Sequence, residues 1–223
     1  MGPGERPGAG SGWRDARSDG ASRHNGPVPA ADLLSRHHAE WAEAVEHRFL
    51  RGVRDGSLGA AAFQFWLQQD HLFVADLLSF QARLLGAAPR PAQRVLASGL
   101  VGLEAELTWF EASASLSGVT LPLQRSPVTA SYRLHLEHFL AQSFEVGMTA
   151  LWALELVYLE AWRRASPGAS PFRPYVEHWS TPAFATYVAE LEPHAVDQQA
   201  AESAFVAVSE LERRFWDEAL TLS

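Results

Sequence analysis

The chain has 223 residues, 47% of them hydrophobic, with a formal net charge of -8; this is length for one ordinary core, and the acid excess excludes a large nucleic-acid footprint, which needs a basic face. Cysteine is absent, which excludes disulfides, thiolate metal sites and a cysteine nucleophile. All eighteen Lys+Arg positions are Arg, so Schiff-base chemistry and a phosphate-loop lysine are excluded as well.

No apolar stretch reaches the roughly 18 to 20 residues that cross a bilayer, and no secretory pattern opens the sequence. A cytoplasmic protein with neither membrane nor nucleic-acid partners is expected. Residues 1–29 are a Gly/Ser/Arg/Pro-rich leader with one aromatic, Trp13. Such a segment buries too little apolar surface to offset its ordering entropy, and disorder is expected there.

From Asp32 the apolar pattern is helical throughout residues 30–223. A first helix is predicted from Asp32 to Leu50, with Asp32 as cap, then a loop at Asp55-Gly56-Ser57. A second covers Gly59 to Leu85 and ends at Gly86. Its inner stripe is Phe63, Trp66, Leu67, Asp70, Phe73, Val74 and Leu77. A third follows Pro91, a residue suited to a first helical turn, and runs to Leu116. Leu121 to Pro127 is a connector, and a fourth helix covers Ala130 to Gln142. Met148 to Trp162 is apolar nearly all round, as in a helix at the centre of a domain. After a loop at Ser166 to Pro171 come a helical region from Tyr175 to Glu190, broken at Pro182, and a last helix from His194 to Leu220. The expected fold is all-α, seven or eight helices in one bundle-like domain.

Three acids stand where these stripes call for hydrophobes. They are Asp70, Glu155 between Leu151, Trp152, Tyr158 and Trp162, and Glu212 between Phe205, Val208, Phe215 and Trp216. A buried carboxylate must pair or take up a proton. One such acid is readily a structural ion-pair partner; three on three core helices point to a shared polar cavity. Glu104 and Glu106 lie on the third helix, where one must face inward; Glu104 is taken as the site residue. His135 and His138 have a metal-compatible spacing, but two histidines alone are a weak signal and neither metal nor cofactor is expected.

At this point the chain resembles the TenA/thiaminase-II family, within the haem-oxygenase-like all-helical fold, from Asp32 to Leu220. The similarity rests on Phe63-Gln-Phe-Trp-Leu-Gln-Gln-Asp70, Leu103-Glu-Ala-Glu106, Ser126-Pro127 leading to Tyr132, Tyr175 and Trp179 before Pro182 and Phe184, and Glu212-Arg-Arg-Phe-Trp216. The resemblance implies that Asp70 holds an aminopyrimidine ring, that Glu212 handles the leaving group and that Tyr132 is a pocket tyrosine. Two positions depart from the pattern: Phe73 stands for a second tyrosine, and Trp179 where many members have Tyr. The nucleophilic cysteine of the thiamin-cleaving class is missing. The segment Leu151-Trp-Ala-Leu-Glu155-Leu-Val-Tyr158 is similar to the cysteine-less class, in which a glutamate enters the site.

The expectation is therefore a cofactor-independent hydrolase of amino- or formylamino-pyrimidines that salvages thiamin breakdown products. Glu155 and Glu212 would act as a coupled acid–base pair. Asp70, Tyr132, Phe73, Trp152, Trp179 and Glu104 would bind the ring, aromatic faces stacking on it. The resemblance also implies a homodimer or homotetramer. Two alternatives stand beside this reading. A di-iron oxidase of the same fold would need acid-to-His spacings, but Glu111, not His, lies two turns after Glu104. A non-enzymatic regulator or binding protein could have kept the fold without the chemistry. A pyrroloquinoline-quinone-synthase-like role fits less well, since a highly acidic substrate calls for a basic pocket.

Overall fold

The 3.6-residue pattern resolves into ten α-helices, and no strand occurs among the described residues, which are 30–121 and 124–221 of a computed structural model. The leader lies outside them. In chain order the helices are α1 (Ala31–Arg36), α2 (His38–Val45), α3 (Arg48–Asp55), α4 (Ala60–Ala87), α5 (Arg90–Ser117), α6 (Pro127–Gln142), α7 (Phe144–Arg164), α8 (Arg173–Trp179), α9 (Pro182–Leu191) and α10 (Gln199–Leu220). A single 3₁₀ turn, Glu192–His194, precedes α10.

Several predicted boundaries shift, each for a local reason. The expected first helix is three. His37 leaves helical geometry (φ -111°, ψ 32°) while its ring meets Glu202 at 2.7 Å, and Arg36 pairs with Asp197 and Glu202. Side chains thus tie this break to the start of α10. A second break at Glu46 and His47 lets the His47 ring cap α3 by accepting from the Phe49 amide. Helix α4 continues through Gly86. Serine caps open α6 and α7 earlier than the apolar pattern shows: Ser126 accepts from Thr129 N–H and Ser143 from Val146 N–H. The last helix starts at Gln199, because Pro193 sits in the 3₁₀ turn.

Helix α7 is the centre, buried on almost every face from Val146 to Trp162 and packed against α10, α6, α9, α2, α8 and α4. Helix α5 lies outermost, against α4 with a lighter contact to α9. Each buried Leu, Val or Phe on these faces contributes about 1.5 to 3 kcal/mol. A cluster of four indoles links the core helices: Trp66 lies 5.0 Å from Trp162, 5.6 Å from Trp179 and 6.0 Å from Trp216. Trp66, Trp162 and Trp216 are each one helical turn from Asp70, Tyr158 and Glu212 respectively. The aromatic cluster thus fixes where those three polar side chains stand.

Candidate active site

An inner void of about 20 Å³, room for about one water, lies among α4, α5, α7, α8, α9 and α10. Glu106, Glu155 and Glu212 border it, with Phe73, Tyr158, Trp179 and Phe184 as aromatic wall. Leu103, Glu106, Glu155, Trp179 and Phe184 also border a wider outer chamber of about 410 Å³, which opens toward solvent between α5 and α9. These five residues form a collar between the two spaces.

Each acid has a different partner. The Tyr132 hydroxyl donates to Glu212 Oε2 at 2.5 Å, and Oε1 is buried without a partner among the described residues. The Trp179 indole N–H donates to Glu106 Oε1 at 2.8 Å. The Tyr158 hydroxyl donates to Asp70 Oδ2 at 2.5 Å, and Oδ1 has no partner among the described residues. Glu155, 7% exposed, makes no hydrogen bond to a described residue's side chain. Among the described residues no arginine borders either chamber.

Burial without cations raises every proton affinity in the group. Desolvation pushes Glu155 up to about 8, helped by the charge of Glu106. Desolvation takes Glu106 to about 7 against the Trp179 hydrogen bond, and Glu212 to about 7 against that of Tyr132. Asp70 is raised well above the usual carboxyl range by burial, with Glu106 and Glu212 adding to the effect and Tyr158 opposing it.

The sequence-based set is thus sorted by geometry. Phe73, Trp179, Glu155 and Glu212 border the void directly. Asp70 does not; it is completely buried behind Tyr158. Tyr132 likewise stands behind Glu212 and orients it. Two expectations are corrected. Glu104 is exposed, and Glu106, two residues on and so on the opposite side of α5, faces the chamber. Trp152 stacks on Phe205 at 6.0 Å, which also stacks on Trp41, so it belongs to the core between α7, α10 and α2. The coupling expected between Glu155 and Glu212 also moves: the charge that raises Glu155 is that of Glu106. His135 lies against the Ser131 carbonyl, and no group of three or more His, Asp or Glu among the described residues is placed to hold a metal ion.

With this geometry in view, residues 34–222 match the sequence model of the TENA/THI-4/PQQC family. The chain belongs to this family. A TenA homologue from Pyrococcus furiosus shares the fold with a TM-score of 0.80 and 28% identity, over 85% of this chain and 98% of that one. A probable bifunctional TENA-E protein of Glycine max is 29% identical over 205 residues, 82% of this chain and 90% of that protein. An aminopyrimidine aminohydrolase of Halalkalibacterium halodurans is 38% identical over a segment of 47 residues, 21% of each chain.

Within this TenA-family fold, sequence reasoning missed Tyr187 and Gln81. Gln81 is fully buried; its amide donates to the Leu96 carbonyl at 2.8 Å and its Oε1 accepts from the Tyr187 hydroxyl at 3.2 Å. Tyr187 borders the outer chamber near Glu155, whose charge raises its hydroxyl's proton affinity after burial does. The available signal was a glutamine in the apolar stripe Leu77, Phe80, Gln81, Leu84.

Proposed function

We propose that this TenA-family protein hydrolyses aminomethyl- or formylaminomethyl-pyrimidines, a reaction suited to salvage of thiamin breakdown products. The observation that supports this reading is an aromatic-walled void and outer chamber bordered by three glutamates whose proton affinities are raised into the neutral range. Near pH 7 Glu155 is mostly protonated, while Glu106 and Glu212 are divided between the two forms. The chamber therefore offers a general acid and a general base together.

The flat ring enters from the outer chamber and lies against Trp179 and Phe184, its polar edge directed through the collar at the inner void. Its ring nitrogen and exocyclic amine form an acceptor–donor edge that a neutral carboxyl group matches with two hydrogen bonds. Glu212, held by Tyr132 with one oxygen free, and the Tyr158–Asp70 pair supply that edge. The scissile bond lies at the collar. Glu106 takes a proton from water as the oxygen attacks carbon, and Glu155 gives its proton to the departing nitrogen. With the formyl derivative the carbonyl C–N bond breaks, giving formate and the aminomethyl-pyrimidine. With the amine the methylene C–N bond breaks, giving the hydroxymethyl-pyrimidine and ammonia. Among the described residues no lining side chain carries a permanent positive charge, which disfavours phosphorylated pyrimidines.

Incubation of the purified protein with each compound, followed by mass analysis, tests the proposal. The expected result is loss of the formyl group or replacement of the amine by hydroxyl. Neither product forming from either compound would overturn it.

A further inference from the structure

The inner void is small but polar. Its volume is enough for one water, and Glu106, Glu155, Glu212 and Tyr158 stand on its border. A void of that size walled only by aliphatic side chains stays dry, whereas one offering two to four polar partners takes a water. The second observation is Glu212, which is 2% exposed and borders the void but not the outer chamber. Its Oε2 accepts from the Tyr132 hydroxyl, which fixes the carboxyl group, and its buried Oε1 has no partner among the described residues. A buried carboxyl oxygen left unpaired is costly whichever protonation state the group is in. The void is the space beside Glu212 in which a partner for Oε1 can stand.

We propose that the inner void is the seat of the hydrolytic water: one molecule held by Glu212, Glu106 and Glu155 before the substrate arrives, in a space that excludes any larger nucleophile. The inference rests on the hydrolase reading above and deepens it, by fixing where the attacking oxygen stands and giving Glu212 a part in holding it.

The water donates to Glu212 Oε1 and to Glu106, and accepts from the protonated Glu155, three bonds being usual for a buried water. Glu106 has one oxygen on the Trp179 indole N–H at 2.8 Å, so its group is held at the collar while the water meets it from the inner side. A ring lying against Trp179 and Phe184 closes the collar from the outer chamber, and the nucleophile must then already be inside. With the formyl compound the water's oxygen bonds to the formyl carbon as its proton passes to Glu106. The carbonyl C–N bond breaks, the nitrogen takes the proton of Glu155, and formic acid and the amine leave. The next water to enter the void stands between Glu106 and Glu155 and returns the proton from the first to the second, which restores the starting state.

Three measurements test this. A crystal structure of the native protein should show one ordered water within hydrogen-bonding distance of Glu212 Oε1. Turnover of the formyl compound in the presence of hydroxylamine should give formate alone, with no more formohydroxamate than an enzyme-free control, because a nucleophile of two heavy atoms does not fit the void. Val74→Ile and Val74→Leu each add a methyl group to the wall of the void from α4, at a residue that neither borders the outer chamber nor takes part in the acid–base chemistry. At least one of them should lower kcat for the formyl compound by about tenfold or more, while KM stays within about threefold because the ring is held outside the void. A dry void in the crystal overturns the assignment and leaves the hydrolase reading standing. So does formohydroxamate that rises with hydroxylamine, which would bring the nucleophile in through the outer chamber, or native kcat in both Val74 variants. Absence of turnover with the formyl compound and with the free amine overturns both readings.

Discussion

The hydroxyl of Tyr158 on α7 lies 2.5 Å from Oδ2 of Asp70 on α4, and the fully buried Asp70 Oδ1 has no partner among the described residues. A carboxylate with one donor and no cation is costly in that position, and Asp70 is held in its protonated form well above the usual range. Its neutral amide analogue should therefore be tolerated. Asp70→Asn is expected to unfold in denaturant within about 1 kcal/mol of the native protein, because shape is kept and one acceptor remains for Tyr158. Asp70→Ala should cost about 1 to 3 kcal/mol or more, since it leaves the Tyr158 hydroxyl unpaired beside a cavity. Both should raise KM for a pyrimidine. Asp70→Asn as destabilising as Asp70→Ala would mean that the acid is ionised and structurally paired.

Across the collar, Glu106 and Glu155 act on one another electrostatically. Glu155→Gln and Glu106→Gln should each lower turnover on the order of a hundredfold or more, as for loss of a general acid or base. The double variant should be little worse than the poorer single one, because the two work as a unit. The native pH–rate profile should be bell-shaped near neutrality, and its limbs belong to the pair. Tyr132→Phe adds a separate check. It removes the hydrogen bond that opposes the raised affinity of Glu212, so any limb due to Glu212 should move to higher pH. Full turnover retained by both single Gln variants would rule out the acid–base assignment.

The helical class and the three buried acids were legible in the sequence because periodicity reports which helix face is apolar, and an acid on that face stands out. The choice between Glu104 and Glu106 was not legible. They lie about 200° apart around α5, and that helix packs mainly on α4, so its apolar pattern is broad and weak. Trp152 failed for the opposite reason. Helix α7 is buried on nearly every face, so its pattern cannot say which face meets the chamber and which meets α2 and α10. The breaks at His37 and Glu46 depend on residues distant in sequence, Asp197 and Glu202 for the first. Tyr187 needed the packing of α9 beside Gly99 and Gln81, which no local spacing encodes.

The raised acids also set how stability varies with pH. In the unfolded chain a glutamate titrates near 4.3, whereas Glu106 and Glu212 are raised to about 7 and Glu155 to about 8. Between about pH 4.5 and 8 these three groups therefore bind more protons in the native state than in the unfolded state, and their contribution to stability falls as pH rises. Above about pH 8 this contribution levels off. Glu155→Gln removes one such group and should make the fall shallower by about 1 kcal/mol per pH unit at most. Denaturant unfolding at pH 5, 6, 7 and 8 reads this directly. A variant slope the same as the native one would show that Glu155 is ionised in the folded protein.

Two glycines three residues apart on α5 should respond oppositely to the same substitution. Gly102→Ala places a methyl group where no described residue stands within 4 Å. It should stabilise the protein by about 0.5 to 1 kcal/mol through helix propensity. Gly99→Ala drives a methyl group against the Gln81 amide, the Tyr187 hydroxyl and the Tyr187 ring carbon, at 2.1, 2.3 and 2.7 Å. Gln81 cannot retreat without giving up its bond to the Leu96 carbonyl in a fully buried position. The yielding group should be Tyr187, which borders the open outer chamber. Gly99→Ala should therefore cost about 1 to 3 kcal/mol from overpacking. Its displaced ring should intrude on the outer chamber and raise KM more than it lowers kcat. Adding Tyr187→Phe removes the 2.3 Å contact but keeps the 2.7 Å one, so the double variant should recover part of the stability. Equal, favourable effects of alanine at both positions would show that Gln81 and Tyr187 do not fill the space against Gly99.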